Sequence, residues 1–285
     1  MSYSSDVQKE EKYWKKALFK SKYAAISGSL IPLKTKVIKS YGKDKYKFEV
    51  RYMLSKSPLH LVKEIPKENP FQPWNKDLEI SPIATHHTLI LNKYPVQLGH
   101  MLLITNNWAP QKGWLTKEDW KALETVDKDT CGLWFFNSGP QAGASQPHRH
   151  IQLLRRNIYE SYCPREKWFE DILNNKLELP LELSKSLAIT ERREEDDSTI
   201  LHEKYLTACN LLEIGSPTDN VEPILPYNLL ISKTWIATIK RSQEGCNNFS
   251  INALGFAGYL LATDESQLSW LDKYGPENLL RLVTN

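Results

Sequence analysis

The sequence is short of cysteine, of long apolar runs and of net charge, and each shortage removes a class of protein. Its 285 residues include four isolated cysteines, Cys131, Cys163, Cys209 and Cys246, and no Cys-x-x-Cys pair. Zinc knuckles and thioredoxin-type redox pairs need that spacing, so neither is expected. So few cysteines in so long a chain also make a poor disulfide framework, which leaves structural thiols. No apolar run approaches the roughly 18 residues that cross a bilayer. The N-terminus, MSYSSDVQKEEKYWKKALF, lacks the uninterrupted apolar stretch of a secretory signal. A hydrophobic fraction of 41% with nine Trp and thirteen Tyr argues against disorder. A cytoplasmic globular protein, large enough to bury a full core, remains.

The net charge of +3 is unevenly spread. Residues 1–47 hold twelve lysines against four acids, a local balance of +8, so the remainder sums to −5. Such a block can meet nucleic acid, an anionic membrane or a polyphosphate. It contains no arginine and no nucleic-acid motif, which favours a solvated face over a nucleic-acid surface.

Periodicity predicts a helix over about Asp6 to Lys20, then strands within Lys34 to Tyr52 around a turn at Gly42-Lys43-Asp44. Four prolines in residues 64–83 predict an extended loop. His87 to Leu91 and His100 to Thr105 read as buried antiparallel strands. Thr116, followed by Glu118 and Asp119, starts a helix to about Val126. Cys131 to Asn137 and Arg149 to Arg155 are strands again. The run Glu191 to Asp197 reads as a charged surface connection, followed by a helix over His202 to Leu212. Strands at Ile224 to Ile231 and Trp235 to Lys240 precede helices from Ala253, Glu265 and Pro276. This order predicts an α+β fold with one mainly antiparallel sheet. We expect a catalytic region over 1–190, a connection and helix over 191–215, and a C-terminal region over 216–285 that completes one composite domain.

Chemistry concentrates in Asn137-Ser-Gly-Pro-Gln-Ala-Gly143-Ala144-Ser145-Gln146-Pro-His148-Arg-His150-Ile-Gln152. On a strand, His148, His150 and Gln152 project from one face, while Arg149, Ile151 and Leu153 point the other way. The small residues of the preceding loop let backbone N–H groups approach an anion. Three explanations stand side by side: a histidine nucleophile toward phosphorus, two ligands of a transition metal, or structural histidines. Gln152 and the distance of the nearest acids in sequence, Asp129 and Glu160, weigh against a metal. A carboxamide can donate to a phosphate oxygen without adding charge. His87 and His100 read as structural hydrogen-bonding residues, and His60, His86 and His202 as surface or interface residues. Trp108, Trp114, Trp120 and Trp134 read as packing residues.

The string His148-x-His150-x-Gln152, with its flank GASQPHRHIQ, resembles the nucleotidyltransferase branch of the histidine-triad superfamily. Within that branch it is most similar to the diadenosine tetraphosphate phosphorylases, also called ATP adenylyltransferases. Five further strings fall in that family's order: Asn69-Pro-Phe, Leu91-Asn92-Lys93, Gly99-His100-Met-Leu-Leu-Ile-Thr, Pro226-Tyr227-Asn228 and Ser250-Ile-Asn252-Ala253-Leu254-Gly255. The resemblance implies a histidine-triad-like antiparallel sheet flanked by helices, with a C-terminal extension. It implies His150 as nucleophile, with Gln152 and His148 assisting. Asn137, Gly143, Ala144, Ser145 and Gln146 would hold phosphates, with Lys56, Asn92 and Lys93 as further contacts. Asn252, Ala253 and Leu254 would bind substrate. Tyr259 and Thr263 stand where members tend to carry Met and Lys, so one ionic contact to the polyphosphate is missing.

The implied reaction is phosphorolysis of diadenosine tetraphosphate to ADP and ATP through an adenylyl-histidine, with sulfate as a second candidate acceptor. Its partners would be diadenosine tetraphosphate, ATP, ADP, AMP and phosphate, with no nucleic acid and no membrane. No metal site or tightly bound cofactor is implied; Mg²⁺ is compatible as a companion of the substrate. The alternatives are a hexose-1-phosphate uridylyltransferase and a non-catalytic dinucleoside polyphosphate sensor. Arg149, where the uridylyltransferases usually have proline, and the missing Cys-x-x-Cys disfavour the first.

Overall fold

The structure is a computed structural model that describes residues 10–42, 46–54, 69, 71–130, 132–155 and 161–285. Eight strands form one sheet in the order β3 (Glu79–Ile83), β4 (His87–Leu91), β5 (Met101–Thr105), β7 (His150–Leu154), β6 (Leu133–Asn137), β9 (Tyr227–Ile231), β10 (Trp235–Lys240) and β8 (Leu187–Glu191). Every neighbouring pair is antiparallel. The α+β expectation holds, and strands on both sides of residue 190 join the same sheet.

A second, three-stranded sheet pairs β1 (Thr35–Tyr41) with β2 (Phe48–Met53), and β2 in parallel with β13 (Tyr259–Ala262). Lys43 and Asp44 of the expected turn lie outside the described residues, as do Lys56 and His60. A two-residue hairpin, β11 (Gly245–Cys246) with β12 (Phe249–Ser250), precedes the C-terminal helices.

Helices α1 (Lys12–Ile26), α2 (Lys117–Asp129) and α5 (Ser198–Leu211) cover one face of the large sheet. Leu103, Ile151, Leu153, Trp134, Phe136 and Leu229 pack there against Trp120, Leu123, Val126 and Tyr205. The capping box predicted at Thr116 is present, since Thr116 and Asp119 bond each other's backbone N–H. On the opposite face, Leu133, Phe135, Leu230 and Ile239 pack against α3 (Glu166–Leu173), α6 (Ala253–Phe256) and α8 (Pro276–Leu282). The Phe169 and Trp235 rings stack there at 4.0 Å. Towards β3 that face carries a separate, smaller cluster of Phe71, Ile90, Leu102 and Ile104. Gln152 pairs with Leu102 on one side and Phe135 on the other, so it stands where the two clusters part.

Several elements depart from the sequence reading. The proline-rich loop ends in β3, which tolerates Pro82 because it is an edge strand and one side of its backbone needs no partner. Helices α3 and α4 (Leu181–Ser184) fall in a stretch the periodicity left unassigned. The acidic run begins inside β8, because Glu191 still pairs with Trp235. The last helices start at Ala253, at Leu268 in α7 (Leu268–Tyr274) rather than at Glu265, and at Pro276. His202 is buried at 9% exposure, its ring stacked near Tyr205 rather than facing solvent.

Helix α1 is tied down at its N-terminal end by other elements. The Asp129 carboxylate accepts from the Lys12 and Tyr13 N–H groups at 3.1 and 2.9 Å, and the Thr130 hydroxyl accepts from Trp14 N–H. Glu11 pairs with buried Arg155, just past β7, at 2.7 Å. Trp14 then lies across Gly99, where a Cβ would sit 2.1 Å from the indole and φ is +74°. Only glycine fits that approach, one residue before His100. Gly99→Ala is therefore expected to cost about 1–3 kcal/mol through overpacking, read by denaturant unfolding; an unchanged midpoint would contradict the packing.

Candidate active site

The three signature side chains are brought together at β7. His150 and Gln152 lie on β7, and His148 precedes it in a single antiparallel bridge to Pro110. The Phe71 ring meets both histidines edge-on, at 5.6 Å from His148 and 5.4 Å from His150. Arg149 points the other way, as the alternation requires, and donates to Asp119 of α2 at 3.0 Å. That carboxylate also receives His87 Nε2 at 2.8 Å. Against burial, which pulls its pKa up, His87 and Arg149 hold Asp119 in its charged form. Breaking one partner of so buried a pair costs about 3–5 kcal/mol, so it fixes the rear of the strand.

Hydrogen-bond partners assign the tautomer of each ring. The Asn69 carbonyl oxygen accepts from Phe71 N–H, so its amide nitrogen donates to His148 Nδ1 at 2.8 Å. His148 therefore carries its proton on Nε2, which donates to the Thr105 carbonyl at 2.9 Å. His150 Nδ1 lies 2.8 Å from the His148 carbonyl and must donate to it. Its Nε2 is left with a free lone pair. A third histidine completes the set. The Asn92 carbonyl oxygen accepts from Tyr94 N–H, which turns its amide nitrogen toward His100 Nδ1 at 3.3 Å. His100 Nε2 then donates to the Gln152 carbonyl oxygen at 3.0 Å, so the Gln152 –NH₂ is the end available to a ligand. Direction runs from Asn92 through His100 to Gln152.

Burial keeps these rings neutral. It lowers the pKa of His150 to about 4 and that of His100 to about 3, and it pulls His148 down as well. Protonating His150 in place is roughly 3 kcal/mol harder than in water. The folded chain thus binds fewer protons than the unfolded chain between about pH 6.5 and the depressed values. The stability these rings contribute is complete above pH 6.5 and drains away as pH falls through about 4.

Gln111 is a structural member of the site that the sequence reading missed. Its buried carboxamide accepts from His150 N–H at 2.8 Å and donates to the Asn137 carbonyl at 2.8 Å. It bridges β6 and β7 where their direct pairing has ended at Phe135 and Gln152. A glutamine in a loop carries no sequence signal for that role. His100 was read as a structural hydrogen-bonding residue; its partner is Gln152, and only the β5–β7 register could have revealed that.

The remaining expected residues fall into distinct environments. Gly143 adopts φ +83° after a 3-10 turn at Pro140–Ala142, and a Cβ there would meet Asn252 and the Ile251 carbonyl within 3 Å. The Gly143 and Ala144 N–H groups bond back to Pro140 and Gly139. Among the described residues, the loop's donors without a backbone partner are those of Ser145 and Gln146. Gln146 also has a buried carbonyl oxygen without a partner. Asn137 is 2% exposed, and its side-chain oxygen is filled by Asn228 and the Ala253 N–H. It pins α6 to β6. Asn252 caps α6 by accepting from Leu254 N–H, so the Ala253 and Leu254 donors are both used. Lys93 is exposed on the rim of a 390 Å³ cavity walled by Phe71, Trp74, Ile90 and Leu91 and edged by Ser27–Ser29. Phe71 separates that cavity from the histidine rings. Tyr259 is the first residue of β13 and Thr263 follows its last; the ladder with β2 ends at Ala262 and Tyr52, close in sequence to residue 56. Trp114, Trp120 and Trp134 are buried, whereas Trp108 is 53% exposed and edge-on to His148. Among the described residues, no three His, Cys, Asp or Glu side chains converge on a metal-sized point.

Ring ¹⁵N shifts near pH 6 are expected to report three neutral rings, protonated on Nδ1 in His150 and on Nε2 in His148 and His100. A His150 ring protonated on both nitrogens would contradict the assignment.

Comparison with known proteins gives consistent matches. Residues 4–168 match the Ap4A phosphorylase N-terminal domain, and residues 175–285 match the ATP adenylyltransferase C-terminal domain. The chain is 29% identical over 235 residues to diadenosine 5',5'''-P1,P4-tetraphosphate phosphorylase 2 of Saccharomyces cerevisiae, covering 70% of each. It is also 29% identical over 206 residues to Protein APA1 of the same yeast, 64% of this chain and 63% of that one. The crystal structure of yeast Ap4A phosphorylase Apa2 in complex with Ap4A has the same fold. It superposes with a TM-score of 0.71 at 22% identity, over 97% of this chain and 98% of that one.

Proposed function

Because the chain belongs to the Ap4A phosphorylase and ATP adenylyltransferase family, we propose that it converts diadenosine tetraphosphate and phosphate to ATP and ADP through adenylylated His150. The observation that carries the reading is the pair of directed hydrogen bonds that leaves His150 Nε2 as a lone pair and the Gln152 –NH₂ as a donor beside it. The substrate is a polyanion, and a neutral nucleophile avoids the repulsion that a carboxylate or thiolate would meet.

In the first half-reaction the Nε2 lone pair attacks the α-phosphorus, and the bond to the bridging oxygen breaks to release ATP. Positive charge grows on the ring as the P–N bond forms. The His148 carbonyl, already accepting Nδ1–H, stabilises it without taking the proton. The Gln152 amide donates to a non-bridging oxygen, with the Ser145 hydroxyl and the Ser145 and Gln146 N–H groups as further donors. Lys93 and, outside the described residues, Lys56 would balance polyphosphate charge. In the second half-reaction a phosphate oxygen attacks the adenylyl phosphorus, the P–N bond breaks, and ADP leaves with the imidazole restored. The cavity beyond Phe71 has the size for a nucleoside and a mixed lining, with Phe71 and Trp74 beside Ser29, Asn75 and Lys93. Any Mg²⁺ would arrive with the polyphosphate.

Incubation with diadenosine tetraphosphate and phosphate is expected to yield ADP and ATP in equal amounts; AMP with ATP would make the protein a hydrolase. His150→Ala should lose at least about 10³-fold in kcat, and Gln152→Ala about 10²–10³-fold. Retained turnover in His150→Ala would remove the nucleophile assignment. Binding without turnover in the wild-type chain would make it a sensor. The kcat/KM for diadenosine tetraphosphate, which reports the first half-reaction of the free enzyme, should stay level from about pH 7 to about pH 5. A fall centred near pH 6.5 would contradict a depressed His150 pKa.

A further inference from the structure

None of the lysines on α1 has a place in the site, and the fold shows what they build. Helix α1 buries Ala17, Ser21 and Ala24. Turning by about 100° per residue, the opposite side carries Phe19, Tyr23 and Ile26 within an arc of about 60°. These three are 60%, 60% and 86% exposed, and the two rings touch at 4.7 Å. On the same wheel Lys15 and Lys22 flank this ridge on one side, and Lys16 and Lys20 on the other. No acid occurs between Lys12 and Ile26. Among the described residues these four lysines make no ion pair; Lys12, at the N-terminal end of the same arc, is bound by Glu10. Lys20 reaches the Lys76 carbonyl at 3.5 Å.

We propose that this outer face of α1 docks on a bilayer surface containing anionic lipid. An apolar ridge between two rows of lysine lets the rings and Ile26 enter the headgroup boundary while the ammonium groups remain at the phosphates. Charge complementarity selects that partner over the others. A second copy meeting face to face would oppose lysine rows with lysine rows. A nucleic acid would find no arginine, would have rings already packed on each other, and would leave Ile26 in water. The absence of an apolar run, on which the expectation of no membrane partner rests, does not bear on a helix that lies in the interface. The proposal stands independently of the reaction.

The test is flotation of the full chain with phosphatidylcholine vesicles, with and without phosphatidylserine, at about 0.15 M ionic strength. Binding is expected only with phosphatidylserine. It should weaken at least about tenfold in Lys15→Gln/Lys16→Gln/Lys22→Gln and in Phe19→Ser/Tyr23→Ser. All five positions are exposed, so both variants should keep the wild-type melting temperature and phosphorolysis rate. No binding to anionic vesicles, or binding that either folded variant retains in full, overturns the proposal. So does capture by RNA or polyglutamate that survives Phe19→Ser/Tyr23→Ser, which would make the face a general polyanion surface.

Discussion

The hydrogen bond from His150 Nδ1 to the carbonyl of His148 sets the terms for the rest of the site. It joins residues two apart on one extended segment, so the backbone itself fixes the tautomer of the ring. The geometry needs the carbonyl to be held, and the surroundings hold it. The His148 ring is fixed by Asn69 and Thr105, Gln111 clamps His150 N–H, and Arg149 anchors the other side of the strand to Asp119. Burial then removes the competing protonated state. Each bond is worth about 1 kcal/mol alone; together they leave His150 Nε2 with a lone pair that no bond among the described residues uses.

The C-terminal segment contributes a second fixed frame. Arg241, 1% exposed, donates to Asn228 at 2.6 Å and to the carbonyls of Gln243, Glu244, Ile251 and Val283. Asn228 in turn donates to Asn137 and to the Ala142 carbonyl. One buried guanidinium thus joins the chain end, α6, β9 and the turn before Gly143. Its charge is compensated by these carbonyl dipoles, with the Glu244 carboxylate adding a through-space contribution. The loop that carries Ser145 and Gln146 is therefore held from below by residues far away in sequence.

Much of the fold was legible because its signals are local. Alternation located β1 and β2, short apolar runs located β4 and β5, and the Thr116 cap located α2. A single strand rule put His148, His150 and Gln152 on one face. What stayed hidden depends on tertiary context. Proline masked β3, whose edge position removes the penalty, and β8 is a five-residue strand in a stretch left unassigned. The four-residue β13 relies on its parallel partner. The polarity of the site was also out of reach. Asn92 and His100 stand in a recognisable string, but their direction toward Gln152 follows from strand register. The small-residue loop looked like a nest for phosphate, yet two of its N–H groups close its own turn.

The most direct measurement is to mix the enzyme with diadenosine tetraphosphate without phosphate, quench in alkali, where a phosphorus–nitrogen bond survives, and map the modified peptide by mass spectrometry. A single adenylyl group is expected on His150, and it should disappear, with release of ADP, when phosphate is added before the quench. An adenylyl group on His148, or steady turnover without any adenylyl-enzyme, would contradict this expectation.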